Sequence, residues 1–201
     1  MSKGILLSGG IDSIALAFWK KPEFAFTVNY GQSPAAAEIE VSKVICRELS
    51  MRHVVLDVDC SKLGSGDLLK KEPLEIAPST EWWPYRNQLL VTLTCMKAIG
   101  LGVSELMVGS VLSDGFHRDG TDEFYSLLNN LMVYQEGSIV ISAPAIKISS
   151  AELVIKSRIP SQLLFYAHSC HRSSIPCGRC RGCNKYIEVI QQLYNANWEK
   201  S

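Results

Sequence analysis

The sequence lacks an excess of charge of either sign. Its 20 lysines and arginines balance its 20 aspartates and glutamates, so the formal net charge is zero at pH 7. Proteins that bind nucleic acids or anionic membranes through general electrostatics usually carry a basic excess. The balance therefore argues against direct nucleic-acid binding and against a membrane-surface partner.

The sequence also lacks long hydrophobic runs and a leader-like start. No apolar run approaches the ~20 residues of a membrane-spanning helix, and Met1-Ser2-Lys3 leads directly into a short strand-like run. Apolar residues make up 47% of the 201 residues, which excludes a disordered chain and suits one domain with a small appendage. We expect a cytoplasmic protein, in which thiols stay reduced.

Cysteine is plentiful, and its seven residues are unevenly spread. Four fall close together near the C-terminal end: Cys170, Cys177, Cys180 and Cys183. In a reducing compartment this spacing predicts a metal site, and four thiolates close the tetrahedral shell of a structural Zn²⁺. A ligand from His168 or His171 in place of Cys170 stays open, as does an iron–sulfur cluster. The other three are predicted to be packing residues: Cys46, Cys60 and Cys95.

The apolar pattern alternates between strand-like and helix-like periods. Strands are predicted at residues 4–7, 24–30, 53–58, 105–110 and 138–142. Helices are predicted at residues 12–20, 34–49, 85–99, 121–134, 150–157, 160–168 and 184–194. This alternation predicts an α/β fold, with a Rossmann-like parallel five-stranded sheet and helices on both faces. We assign residues 1–158 to this domain and residues 159–201 to a small zinc-binding segment packed on it.

Residues 61–81 interrupt the alternation, with two glycines, two prolines and no strong period. Loops of this length in compact domains are usually functional. We expect a lid that orders when the ligand binds.

The first strand runs into Ser8-Gly9-Gly10-Ile11-Asp12-Ser13, which with Leu7 is called the glycine loop here (residues 7–13). Adjacent glycines allow close backbone approach to a ligand, and the start of the following helix offers unpaired N–H groups to an anion. Asp12 is expected to cap that helix or to hold Mg²⁺ against phosphates. A tight turn without a ligand is the alternative from these residues alone.

The motif Ser-Gly-Gly-x-Asp-Ser after an N-terminal strand resembles the pyrophosphate-binding loop of the N-type ATP pyrophosphatases. That superfamily cleaves ATP into AMP and pyrophosphate and adenylates a substrate oxygen. The resemblance implies that ATP binds at the glycine loop, with Ser8, Asp12 and Ser13 in the catalytic machinery.

Further segments resemble the 7-cyano-7-deazaguanine synthase family over nearly the whole chain. They are Asn29-Tyr30-Gly31-Gln32 with Glu38, Trp83-Pro84-Tyr85-Arg86-Asn87, Gly109-Ser110 with Asp114, and the four-cysteine tail. The resemblance implies nucleotide binding by Asn29, Tyr30, Gln32 and Gly109. It also implies catalytic roles for Arg86 and Asp114.

This family's reaction starts with attack of a 7-carboxy-7-deazaguanine carboxylate on the α-phosphate of ATP. Ammonia converts the acyl-adenylate to an amide, and a second ATP activates the amide to give the nitrile. The resemblance thus implies ATP, Mg²⁺ and Zn²⁺ as cofactors and a homodimer as the assembly. Arg86 is expected to pair with a carboxylate or phosphate. Trp82, Trp83 and the last helix offer apolar surface for dimer contact or, equally, for the core.

Two segments depart from the family pattern. Gly120-Thr121 stands where the family usually has Cys-Arg, and Ser150 stands at the lysine of a Lys-x-Glu segment. Lys147 lies three residues earlier and is not assumed to substitute. The changes leave the adenylation residues in place but alter the segment that reads the deazapurine.

These departures keep other hypotheses open. One is a relative in an antiphage or DNA-modification system that joins the activated carboxylate to an amine of a protein or other macromolecule. A tRNA-modifying member of the superfamily is disfavoured by the missing basic surface. A nucleotide sensor without turnover is the third.

Overall fold

The computed structural model describes residues 2–196 and 198. Its strands are β1 (Ser2–Leu6), β2 (Phe24–Asn29), β3 (Arg52–Asp57), β4 (Val103–Met107) and β5 (Val140–Ser142). Its helices are α1 (Ile11–Lys20), α2 (Ala35–Glu48), α3 (Arg86–Ala98), α4 (Asp122–Tyr134), α5 (Ser150–Ser157), α6 (Ser161–Leu164) and α7 (Arg181–Asn195). Residues 199–201 of the predicted C-terminal segment, like residues 1 and 197, lie outside the described residues.

The strands form one parallel sheet in the order β3-β2-β1-β4-β5. The order reverses at β1, because β1 pairs with β2 on one side and with β4 on the other. In open parallel sheets, ligands bind beyond the carboxyl ends of the strands at such a reversal. The predicted α/β architecture is confirmed, and the loops that follow β1, β2 and β4 meet at one edge.

Apolar side chains alternate between the two faces of the central strands, as the two-residue strand period requires. Ile5 and Ala25 belong to a buried cluster with α1, α2, α5 and α7, whereas Phe24 and Phe26 pack with α3 and α4. The sheet is therefore covered by helices on both faces, as predicted. The three cysteines outside the tail are buried, which agrees with their predicted packing role: Cys46, Cys60 and Cys95.

Some predicted element ends are wrong, and the contacts show why. The helix predicted at 160–168 is only α6, because the chain leaves it so that the His168 N–H donates to Gly9 O (2.8 Å). The last helix begins at Arg181 rather than at residue 184, because Cys180 caps it. The fourth strand is Val103–Met107 rather than 105–110. Apart from the short helical turn Asp67–Leu69, residues 61–81 form no regular element.

Among the helices of the described residues, none is long and apolar enough to cross a membrane.

Candidate functional site

The glycine loop turns the chain sharply from β1 into α1. Gly9 has φ of +73°, a left-handed conformation that side chains disfavour. The Ser8 hydroxyl donates to Ser13 Oγ (3.2 Å), and Ser13 donates to the Gly10 carbonyl oxygen (2.9 Å). These bonds fix the loop from within, while the backbone N–H groups at the start of α1 face the cavity beyond the strand ends.

Asp12 does not cap α1, so that prediction is wrong. Gly10 is the capping residue, and Asp12 lies in the first turn of the helix. Its Oδ2 atom lies 2.8 Å from Lys185 Nζ, which is also 2.9 Å from Asp114 Oδ1. Lys185 from α7 thus joins two carboxylates that come from opposite sides of the sheet reversal.

The electrostatics of this group follow from burial and charge. Burial raises the pKa of Asp12, although Lys185 opposes the rise. Burial lowers the pKa of Lys185, but the charges of Asp12 and Asp114 outweigh it and the net shift is upward. The ammonium is therefore held in its charged form beside the two acids.

A cavity of about 700 Å³ lies over this sheet edge. It is lined by most of the predicted site residues, namely Leu7, Ser8, Gly10, Ile11, Asp12, Ser13, Tyr30, Arg86, Gly109 and Asp114. The structure therefore brings together side chains that are spread over more than half of the sequence.

Arg86 enters the cavity from the first turn of α3. The acidic and phenolic groups near it are Glu38, Asp119, Tyr30 and Tyr125. Burial raises the pKa of Glu38 to about 7, against the opposing effects of a Gln32 hydrogen bond and the Arg86 charge. Arg86 is thus a cation inside the cavity rather than a surface arginine.

Three predicted nucleotide-binding residues do not line the cavity. Gly9 lies against Glu38 and Val41 of α2, and Asn29 donates to Asp57 Oδ1 (2.8 Å) in a separate shallow depression. Gln32 is buried and donates to Glu38 Oε2 (2.7 Å), while its own oxygen accepts the Tyr30 N–H (2.8 Å). Gln32 therefore positions Glu38 and the strand end, and its contact with a nucleotide stays a prediction.

The departures from the family pattern have local physical causes. A Cβ at Gly120 would lie 2.2 Å from Asp114 O, so no side chain fits there. Thr121 caps α4 by accepting the Phe124 N–H (3.2 Å). These two residues shape the backbone beside Asp114 and place no cation in the cavity.

Ser150, which stands at the position of the family lysine, likewise supplies no cation. Ser150 is buried, and its hydroxyl has no hydrogen-bond partner among the described residues. Lys147 pairs with Asp122 at the surface (3.1 Å), where both side chains are more than half exposed. In this structure Lys147 therefore does not take the place of the family lysine.

Four side chains from distant parts of the sequence complete the cavity, and sequence analysis named none of them. We call this set the assembled wall: Glu81, His117, Arg181 and Lys185. Arg181 Nη1 donates to Glu81 Oε1 (2.7 Å), and His117 Nε2 lies 3.3 Å from the same oxygen. Arg181 also stacks on the ring of Phe116, 4.3 Å from its centroid. No local motif marks these residues, because their contacts join positions 36 to 173 residues apart.

The tryptophans divide between core and cavity. Trp83 is buried and packs edge-on against Tyr30, with ring centroids 4.9 Å apart. Trp82 is half-buried and lines the cavity.

The cysteine tail (residues 168–195) lies directly beside the glycine loop. Its four cysteine sulfurs lie within 4.8 Å of one another, and no histidine belongs to the group in the residues described. Tetrahedral Zn–S bonds of about 2.3 Å place sulfurs about 3.8 Å apart, so the set could hold one zinc ion. Backbone hydrogen bonds from Arg179 and Cys180 lower the pKa of the Cys177 thiol, whereas burial raises the pKa of Cys180 and Cys183. Cys177 is therefore the most readily ionised of these three thiols.

Comparisons with known proteins agree with this arrangement. The family model described as "Queuosine biosynthesis protein QueC" matches residues 4–192. A 7-cyano-7-deazaguanine synthase of Methanocaldococcus jannaschii is 28% identical, with 89% of each chain covered. One from Desulforudis audaxviator is 31% identical, with 91% of this chain and 94% of the relative covered.

A solved structure shares the fold at much lower sequence similarity. The NMN synthetase from Francisella tularensis superposes with a TM-score of 0.52 at 13% identity. The match covers 99% of this chain and 84% of the other. The sheet, the glycine loop, the cysteine tail and the match over residues 4–192 together show that the chain belongs to the QueC family of queuosine biosynthesis proteins.

Proposed function

We propose that the protein is a 7-cyano-7-deazaguanine synthase, which uses ATP to convert 7-carboxy-7-deazaguanine and ammonia into the nitrile. The observation that carries the proposal is the cavity in which the glycine loop, Asp12, Asp114 and Arg86 face one another. Curated relatives that match over about nine tenths of both chains carry this name. No finding supports the second hypothesis, transfer of the activated carboxylate to an amine of a macromolecule.

The glycine loop and α1 supply the phosphate site. Backbone N–H groups at a helix start bind phosphate oxygens, and the Ser8 and Ser13 hydroxyls lie next to them. Adenylation requires mainly positioning and stabilisation of developing negative charge. A fixed loop with preorganised donors provides both.

Arg86 is the residue we assign to the carboxylate or the α-phosphate. Its guanidinium forms two parallel hydrogen bonds with such groups and stays charged at all working pH values. The acids near it, Glu38 and Asp119, line the same cavity and would hold it in place until the substrate arrives.

Mg²⁺ fits the residues present. Asp12 and Asp114 offer carboxylate oxygens, which Mg²⁺ prefers, and Asp12 Oδ1 is buried without a hydrogen-bond partner in the described chain. Bound there, the ion would neutralise phosphate charge. The tail thiolates would hold Zn²⁺ in a closed shell, so its contribution is structural.

The homodimer and the cytoplasmic location stay predictions. Trp83 is buried within the chain and is not available for a dimer contact. Exposed apolar side chains lie instead on α4 and the edge strand β5, including Leu127, Leu131, Tyr134 and Val140.

Product analysis by mass spectrometry tests the proposed reaction. Protein supplied with 7-carboxy-7-deazaguanine, ATP, Mg²⁺ and ammonia should release pyrophosphate and AMP and form the nitrile. Asp12→Asn should lower the rate about 100-fold or more, whereas Asp122→Asn, at the surface pair with Lys147, should leave it unchanged. Amide or adenylate without nitrile would contradict the synthase assignment, and absence of pyrophosphate would contradict ATP cleavage altogether.

A further inference from the structure

Lys185 holds an unusual position for a lysine. It comes from α7 in the cysteine tail, yet its ammonium lies in the cavity beside the start of α1. Its side chain is 28% exposed, whereas that of Asp12 is 14% exposed. An ammonium in such a place requires a negatively charged partner, since isolated buried charges are costly.

The ammonium has one hydrogen-bond donor to spare. Of its three N–H groups, one reaches Asp12 Oδ2 (2.8 Å) and one reaches Asp114 Oδ1 (2.9 Å). No acceptor for a third is found among the described residues, and Lys185 lines the open cavity. The third donor is therefore available to an anion bound at the glycine loop.

The charges around the site favour this donor. Asp12 and Asp114 place two negative charges beside a loop that has to receive polyphosphate. Ser150 and Lys147, the nearby sequence positions at which a cation was sought, supply none to the cavity. Among the described residues, Lys185 is the only lysine that lines it. The two arginines that line the cavity have other partners, because Arg181 pairs with Glu81 and Arg86 lies near Glu38 and Asp119.

Contacts at both ends of α7 hold the helix that carries Lys185. Cys180 caps α7 by accepting the Cys183 N–H (3.4 Å), so the lysine follows two residues after a tail cysteine. Further along the helix, Val189 and Leu193 are buried in the core under α1. Helix α7, and with it Lys185, is thus anchored by the cysteine cluster at one end and by apolar packing at the other.

We propose that Lys185 is the phosphate-binding cation of this site. In the nucleotide-free protein it pairs with Asp12 and Asp114 and offsets part of their charge. With ATP bound, it also donates to the phosphates at the glycine loop and retains the pyrophosphate until release. The proposal rests on the proposed function and assigns one of its contacts to the cysteine tail. The cysteine tail would thereby be part of the nucleotide site rather than a structural element remote from it.

Binding of inorganic pyrophosphate and of AMP, measured by calorimetry with Mg²⁺ present, tests the proposal. Lys185→Met should weaken pyrophosphate binding on the order of 10–100-fold, because one charge-assisted contact is lost. AMP binding should change by less than about threefold, because AMP lacks the group that Lys185 would hold. Lys185→Arg should retain most of the pyrophosphate affinity, since it keeps the charge.

Two further variants control for charge and for folding. Lys147→Met removes a lysine that is also paired with an aspartate, but at the surface, and should leave both affinities unchanged. Where Lys185→Met does not fold, Lys185→Gln, which keeps a neutral hydrogen-bond donor beside the two acids, takes its place. It should still show the selective loss of pyrophosphate binding.

The outcomes separate this proposal from the proposed function. A wild-type protein that makes nitrile, combined with unchanged pyrophosphate affinity in Lys185→Met, would overturn only the role of Lys185. Equal losses for AMP and pyrophosphate would assign the lysine a purely structural role and also overturn it. A wild-type protein that binds no pyrophosphate would overturn the role of Lys185 in retaining it, whereas a wild-type protein that forms no nitrile would overturn the proposed function.

Discussion

The glycine loop and the assembled wall line the same cavity but are built differently. The loop is continuous in sequence, and the hydrogen bonds between its own side chains and backbone join residues at most five positions apart. The wall joins Glu81, His117 and the tail residues Arg181 and Lys185, whose contacts span up to 173 positions. Its geometry therefore depends on the whole fold.

The difference separates two physical tasks. A helix start and a tight turn suffice to attract an anion, because N–H groups and the helix dipole are fixed by the backbone. Balancing the charge of Asp12 and Asp114 requires a side chain from elsewhere, and α7 provides it. Binding is thus a local property of this site, whereas its charge balance is a tertiary one.

Metal removal should have the largest effect, since it releases the segment that carries the tail half of the wall. We expect Cys180→Ser to lose its metal and to cost about 3–5 kcal/mol, or about 6–20 °C in melting temperature. Metal content and thermal unfolding measure this directly. Cys95→Ala, a buried cysteine of α3 outside the tail, should keep its metal. A full complement of zinc in Cys180→Ser would refute the four-cysteine site.

The same contrast explains what the sequence could predict. The alternation of apolar periods was sufficient for the sheet and its helices, because each strand and helix carries its own pattern. The motif residues from Leu7 to Ser13 and the four cysteines were found because they are close in sequence. Lys185 and Arg181 were missed because a lone cation near a cysteine motif carries no local sign of the acid it will meet.

The partners of some motif side chains were predicted wrongly, because other residues compete for those side chains and the local pattern does not show them. Asp12 has the right residue type for a helix cap, yet Gly10 takes that position and Lys185 takes the carboxylate. Asn29 follows β2 as expected, but Asp57 on the neighbouring strand accepts its amide. In both cases a residue distant in sequence determines the side chain's partner.

Glu38, whose backbone lies against Gly9 of the glycine loop, offers a way to test the loop side of the comparison by pH. Burial raises its pKa from the model-compound value of 4.5 to about 7, so the folded state favours the protonated acid. The stability linked to this group is complete below about pH 4.5 and is lost as the pH rises through about 7. Glu38→Gln should therefore be about 1–3 kcal/mol more stable than wild type at pH 8 and nearly equal at pH 4.5. Urea unfolding at the two pH values measures this, with exposed Glu40→Gln on the same helix as control. An equal difference at both pH values would contradict it.

Glu81 tests the assembled wall in the opposite direction and with a smaller effect. Burial raises its pKa, but hydrogen bonds from its own backbone N–H, Arg181, Ser79 and His117 prevail and hold it at about 2. The stability it contributes is present above about pH 4.5 and is lost as the pH falls through about 2. We expect Glu81→Gln to lower the free energy of unfolding by about 1–2 kcal/mol at pH 7 and by progressively less below pH 4, as urea unfolding at several pH values would measure.

Surface Glu23→Gln, which removes a carboxylate paired with Arg52, is the matched control. If Glu81→Gln and Glu23→Gln lost the same small amount at every pH, the wall would be no more than a set of surface ion pairs. A loss of stability confined to Glu81→Gln and to pH above 4 would instead show that the ion pair between Arg181 of the tail and Glu81 stabilises the fold at the cavity.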